Sequence, residues 1–465
     1  MNASLIGKLV TSGFAVAAVL SIALWLGASN PHSLEQRVPG MDKSGNSAAS
    51  ERSRTGPAGL LVKSDGIPSD LPGEWPCFRS ANLDNISLET FKPVAKDSGF
   101  EELWGLDVGE GFAGAVVKHG RVYLMDYDRD NKEDALRCLS LDDGQEIWRY
   151  TYPVNIKRNH GMSRTAPYVT DDVVISLGPK CHVSCLDAKS GEKKWSLDLV
   201  FAYGTEVPPW YAGQNPLIDN GKLILAPSGS SLMVALDLQT GETLWETPNP
   251  NQWDMTHSSI TPMEFNGQRT YIYCASGGVT GVSAEDGRIL WETPDWTIRM
   301  ANVPSPLVVD ENRIFFSGGY QAGAMMMKLS VSESDGSIVP EVLFRLEDKQ
   351  FGSTQHTPIL YQGRIIGVRP DGQMVCLDLD GNEVWASSPA YKFGLGPYMV
   401  AGPYIYVMND EGLLSRVEAR TDEFRLVDQT QVLHGHESWA PIALASGRMI
   451  LRDLTRMVCI QVAAQ

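Results

Sequence analysis

The chain reads as an all-β protein, an eight-bladed β-propeller of four-stranded blades closed by N- and C-terminal strands, with an N-terminal membrane helix ahead of it. Three observations predict this. A Gly-x-x-x-Trp spacing recurs at Gly144/Trp148, Gly191/Trp195, Gly241/Trp245, Gly287/Trp291 and Gly381/Trp385. Successive tryptophans are 47, 50, 46 and then 94 residues apart, the last interval being two units of 47. Each end of the chain holds only part of one more unit. A period in the forties with short strands and one turn glycine per unit marks a propeller.

The unit is clearest at 234–245. Val234, Leu236 and Leu238 alternate as in a half-buried strand, Gln239-Thr240-Gly241 turn the chain, and Leu244-Trp245 lie on the returning strand. The glycine supplies a backbone angle that other residues avoid. The tryptophan offers a large flat surface to bury against the neighbouring blade. The member missing from the 94-residue interval is the blurred stretch from Gly336 to Phe344, where a longer turn displaces the aromatic.

Taken in order, the chain opens with an uncharged run over 9–28, long enough to cross a hydrocarbon layer of roughly 30 Å as a helix. Lys8 before it favours an inside N-terminus. Leu26-Gly27-Ala28-Ser29 is a poor cleavage flank, so 1–28 is expected as a retained transmembrane anchor, with a cleaved signal sequence as the alternative. Residues 29–72, rich in Ser, Pro, Gly and mixed charge, are expected as a flexible linker. The propeller is expected over 73–465. It begins with an ordered lead-in at Trp75-Pro76-Cys77-Phe78-Arg79 and a lone fourth strand around Trp104. Seven complete blades follow, with first strands near Ala113, Thr165, Pro216, Ser259, Pro306, Pro358 and Pro397. Three last strands, from Trp439 to Val462, need the Trp104 strand to complete the eighth blade.

Blade topology sorts the connections by face. Those leading into first strands and those between second and third strands emerge together, and the Gly-x-x-x-Trp turns lie on the other face. The first set gathers the unusual residues, and these are the ligand-face candidates: His160, Arg164, Lys180, His182, Glu206, Trp210, His257, Arg299, His356 and Arg369. Cationic groups converge there although the formal net charge is -17, which suits an anionic or peptide ligand. The same acidity excludes nucleic acid as a main partner.

The seven cysteines do not form the even, short-chain pattern of a disulfide framework. Cys138 and Cys185 stand six residues before their turn glycine, Cys376 five before its own, and Cys459 lies in the last apolar strand. They read as small buried apolar side chains. His160, Cys181, His182, Cys185 and His257 fit no standard zinc spacing, so no metal is expected. No Gly-x-Ser-x-Gly or phosphate-loop sequence is present.

The repeated Leu-Asp-x-x-x-Gly-x-x-x-Trp units resemble the pyrroloquinoline-quinone-like (PQQ-like) propeller repeats, a superfamily that holds quinone-dependent alcohol dehydrogenases and the propeller lipoprotein of outer-membrane assembly. The lead-in resembles the Trp-Pro-x-Phe-Arg-Gly segment of exported planctomycete-type propellers, with Ser80 in place of the usual Gly and Asn85 where Gly is often seen. The resemblance covers about Trp75 to Val462. Its dehydrogenase branch implies an adjacent Cys-Cys pair, a calcium held by Glu and Asn, and an Asp base. No two cysteines are adjacent here, and no motif assigns those roles to Glu206, Asn302 or Asp254. The expectation is a propeller anchored in the inner membrane and facing the periplasm or cell exterior, binding a protein or small anionic ligand without a cofactor. The alternative is a PQQ-dependent oxidoreductase of alcohols or sugars using calcium.

Overall fold

The computed structural model describes residues 16–23 and 54–464. Most of the run expected to span a membrane lies outside these residues. Its described part, 16–23, is helical and exposed. Among the described residues no helix is long and apolar enough to cross a membrane, so the expected membrane helix is not supported.

Eight antiparallel sheets form the ring. Blades 1 to 7 run over 116–153, 168–198, 217–248, 261–293, 307–346, 359–386 and 398–431, each starting within a few residues of its expected position. Blade 8 takes its inner three strands from Ala443–Ala445, Arg448–Arg452 and Arg456–Gln461. Its outer strand is Glu101–Asp107, with Trp104 opposite Cys459 and Asp107 opposite Arg456. The two ends of the chain therefore close the ring in one sheet.

The tryptophans join blade to blade. A Cβ placed on Gly144 would stand 2.7 Å from the Trp104 ring of the preceding blade, and the same relation links Gly191 to Trp148, Gly241 to Trp195 and Gly287 to Trp245. These glycines lie at φ between 70° and 76°, so both the bare backbone and its left-handed turn are required. Gly381 meets Phe344 in the same way, which makes Phe344 the displaced aromatic of blade 5. Trp104, Trp148 and Trp195 also donate their indole N–H to the next blade, at Leu141, Lys189 and Leu238 carbonyls over 3.0–3.1 Å.

Within a blade, the residue opposite the tryptophan must be small. Cys138, Cys185, Cys376 and Cys459 face Trp148, Trp195, Trp385 and Trp104 across the sheet, while Ala235 faces Trp245 and Gly281 faces Trp291. Each pair is followed by a register shift in the strand. All seven cysteines are buried.

The chain joins the propeller before residue 73. Leu60–Lys63, inside the stretch expected as linker, adds a fifth strand to the outer edge of blade 1, with Leu60 opposite Thr151. It covers an edge that would otherwise present unpaired backbone groups. The lead-in then passes into the central channel. Trp75 and Val117 of blade 1 exchange hydrogen bonds of 2.8 Å, and Val169 of blade 2 donates to the Pro76 carbonyl at 2.9 Å. Arg79 reaches the Pro358 carbonyl of blade 6 at 3.0 Å. Ile86–Ser87 lies parallel to the innermost strand of blade 7. The segment is thus a plug, held by blades on opposite sides of the ring. Arg79, Ser80, Leu83 and Asn85 all have φ of 60–72°. Ser80 and Asn85 hold these angles with side-chain bonds, one local and one across the ring: Ser80 Oγ donates to Asp84 at 2.8 Å and Asn85 Nδ2 to the Tyr398 carbonyl at 2.8 Å.

Candidate functional site

The plug converts the channel into a blind pocket of about 300 Å³. Its floor is Phe78. Its other lining residues come from connections into first strands, or, for Tyr320, from the connection between the second and third strands of blade 5. This is the class of loop that blade topology assigned to one face.

One half of the wall is polar. Just before their first strands, blades 2 to 6 are tied by a belt of hydrogen bonds: Ala166 N donates to Asn215 Oδ1 at 2.6 Å, Asn215 Nδ2 to Ser259 Oγ at 3.0 Å, Ser259 N to Ser305 Oγ at 3.3 Å and Ser305 N to Thr357 Oγ1 at 2.8 Å. Each bond satisfies a buried group and sets the angle to the next blade. The other half, from blades 7, 8 and 1, is apolar: Leu395, Pro441, and Trp439 stacked on Phe112 with ring centroids 5.2 Å apart.

Five of the ten ligand-face candidates line this pocket: His160, Arg164, Trp210, His257 and His356. Arg164 is the organiser. Its guanidinium donates to the carbonyls of Asn159 (3.1 Å), His160 (2.6 Å) and Trp210, and lies 5.2 Å over the Phe112 ring. Burial pulls its pKa down to about 10, still charged at neutral pH. Trp210 and Tyr211 sit at φ of 63° and 72° beyond a short helix, Leu199–Tyr203, capped by Asp198 and Gly204. The Tyr211 hydroxyl donates to the Lys157 carbonyl and accepts from its N–H, both at 2.8 Å, which fixes one loop on the other. Left-handed backbone at His160, Trp210 and Tyr320 is thus held by surrounding contacts, as is common at binding sites. Burial lowers the pKa of His257 and of His356 to about 4, helped by the positive charge of Arg164 and of Arg79 respectively. Both rings are neutral at pH 7.

The other five candidates lie elsewhere. Lys180 is half-buried in the turn ahead of strand His182–Asp187. His182 sits in the joint between blades 1 and 2, edge-on to Tyr152 and 3.6 Å from Asp198 Oδ2. Glu206 and Arg299 are exposed outside the pocket. Arg369 pairs with Asp371 at 2.9 Å and Glu383 at 3.3 Å within its own blade. Sequence reasoning missed Phe78, Phe112, Tyr320 and Trp439, whose common signal was an aromatic in a loop rather than at a strand's alternating position.

The residues present do not fit a calcium-bound quinone. No carboxylate lines the pocket. Burial, and then the charge of nearby Glu206, raises the Asp254 pKa, but both carboxylates stand outside the pocket, and Asn302 is buried away from the lining. A site whose single charged group is Arg164 offers no hard anionic oxygen for a divalent cation. The cysteines and histidines once weighed as metal ligands are dispersed, with Cys181 Sγ packed 3.9 Å from Met255 Sδ. Among the described residues no three His, Cys, Asp or Glu side chains form a metal-holding group.

Comparison with known proteins places this geometry. The chain is 26% identical to outer membrane protein assembly factor BamB of Escherichia coli over 159 residues, 33% of this chain and 36% of that protein. It is 25% identical to the quinoprotein alcohol dehydrogenase PedH of Pseudomonas putida over 194 residues, 40% of this chain and 31% of that protein. The chain spans about a third of the length of these curated relatives. The solved structure of BamB from Moraxella catarrhalis superposes with a TM-score of 0.54 at 14% identity, covering 78% of this chain and 99% of that one, a likeness of fold. The sequence model described as outer membrane protein assembly factor BamB matches residues 132–387, more than half of the chain. The chain belongs to that family of PQQ-like propellers.

Proposed function

We propose that this protein is a membrane-tethered propeller of the cell envelope that binds a polypeptide partner through its loop-rich face and carries out no redox chemistry. The observation that supports it best is the composition of the blind pocket: aromatic side chains, the neutral imidazoles of His257 and His356 and one arginine already committed to three carbonyls, without a carboxylate. Such a lining favours insertion of an apolar or aromatic side chain from a partner. Membership of a family described by an outer-membrane assembly factor supports a protein as that partner. The tether rests on the uncharged run over 9–28.

Arg164 and Arg369 are engaged within the fold, so replacing them would disturb loops as well as a surface. Tyr320 is the cleaner probe. It lines the pocket, is 45% exposed, and makes no side-chain hydrogen bond among the described residues. With the full chain as bait in envelope extracts, Tyr320→Ala should weaken capture of a saturable partner by about tenfold or more at an unchanged melting temperature. Undiminished capture by that variant, or robust reduction of an artificial electron acceptor by protein supplied with PQQ, calcium and an alcohol, would overturn the reading.

A further inference from the structure

Four arginines are almost entirely buried or wrapped, and three are held by several oxygens each. Arg416 is gripped by both oxygens of Asp428 and by the Val94 and Ala95 carbonyls. Arg164 spans three carbonyls. Arg452 reaches the Gly109 carbonyl at 2.6 Å and two more at 3.4 Å. Arg79 is different. It is 4% exposed, yet its guanidinium makes a single hydrogen bond, to the Pro358 carbonyl, and its Nε finds no partner. It has no ion-pair partner among the described residues. The charge of Asp84 is felt at Arg79 without forming an ion pair with it: one Asp84 oxygen accepts from Ser80 Oγ at 2.8 Å and from Ile86 N at 2.9 Å. A buried charge without a counter-charge is costly enough that folded proteins rarely leave one.

Arg79 lines a small, partly open space beneath the pocket floor. This cavity, about 20 Å³, lies between the plug and blades 3 to 5 and is lined by Phe78, Arg79, Asn215, Ser259 and Ser305 among others. The Ser259 and Ser305 hydroxyls both accept bonds from the belt, and neither donates one among the described residues. Two serine hydroxyls and the partner-poor Arg79 thus line one small space. The groups left over there are hydroxyl and guanidinium protons, donors in need of an acceptor. A lone water, with two protons of its own to place, matches such a set poorly; a monatomic anion matches both the donors and the unpaired charge.

We propose that this cavity is a halide site, occupied by chloride, which neutralises Arg79 and locks the plug, with Phe78 above it, into the channel. The site is independent of what the pocket above binds. Its test uses the wild-type chain at fixed ionic strength and pH, with chloride exchanged for gluconate. A saturable rise of a few degrees in melting temperature with chloride is expected, because the ion binds only the folded state. Bromide should reproduce the rise, and crystals grown in bromide should show an anomalous peak beside the Arg79 guanidinium. Ser259→Ala with Ser305→Ala, read against the double variant's own gluconate melting temperature because the substitutions also break the belt, should shift the saturation midpoint to at least about tenfold higher chloride, since each removes one donor to the ion. Arg79→Gln should abolish the chloride response; should that variant not fold, the bromide crystal and the serine variants decide. A melting temperature equal in chloride and gluconate, a linear response shared by the serine variants, or a water in place of the bromide peak would overturn the proposal.

Discussion

The rim and the hub of this propeller are built on opposite plans. At the rim one device is reused at five joints: an aromatic from one blade lies on a bare glycine turn of the next. At the hub, beyond the hydrogen-bond belt, the contacts are individual. The plug, Arg79, Arg164, Tyr320 and the stack of Phe112 on Trp439 each occur once. The difference teaches that closing the ring is a collective property of equivalent joints, whereas the recognition surface is made of individual residues that the ring holds together.

The strongest way to break the rim is to remove a link. Deleting 100–108 takes away the outer strand of blade 8 and the Trp104 ring from Gly144, leaving an open edge on Arg456–Gln461. The expected result is aggregation or loss of the cooperative melt. An unchanged calorimetric transition would mean that the ring does not depend on this closure.

A second experiment probes a joint where the repeat is interrupted by hub-like chemistry. Between blades 1 and 2, near the loop-rich face, Asp134 is fully buried and accepts from the Tyr152 hydroxyl at 2.5 Å. Burial raises its pKa to about 8. The folded protein therefore keeps a proton that the unfolded chain releases in the ordinary carboxylate range. Stability falls as pH rises through that window and the loss is complete above about 8. Asp134→Asn should flatten the dependence of denaturation midpoint on pH between 5 and 9, roughly the interval in which the shifted carboxyl titrates. A parallel dependence in both proteins would remove this joint from the account.

The smallest effect distinguishes joints within the rim. Trp148 donates its indole N–H to Lys189 O, but the N–H of Trp291 is buried without a partner, and the following turn at Gly336 has no aromatic on it. Trp148→Phe should cost about 1 kcal/mol more than Trp291→Phe in urea unfolding, the worth of one hydrogen bond. Equal costs would show that ring area alone sets the strength of a joint.

Much of this was legible in the chain because the rim is periodic. A spacing repeated five times predicts a joint, and the half-blades at the two ends predict closure. The blurred unit ending in Phe344 was also readable, since a missing beat in a regular series points to its own place. Loop class placed His160, Arg164, Trp210, His257 and His356 at one mouth. Lys180, His182, Glu206, Arg299 and Arg369 lie outside that pocket, because belonging to such a loop does not decide whether a side chain turns to the axis, into a joint or toward a partner in its own blade. The plug shows the limit most plainly. Its sequence announced an ordered lead-in. That this segment would block the channel, make Phe78 a floor and strand the charge of Arg79 inside was decided by the tertiary structure alone. Local sequence sets strand, turn and joint, where partners recur at a fixed spacing; contacts between residues 279 positions apart, such as Arg79 and Pro358, exist only once the ring has closed around them.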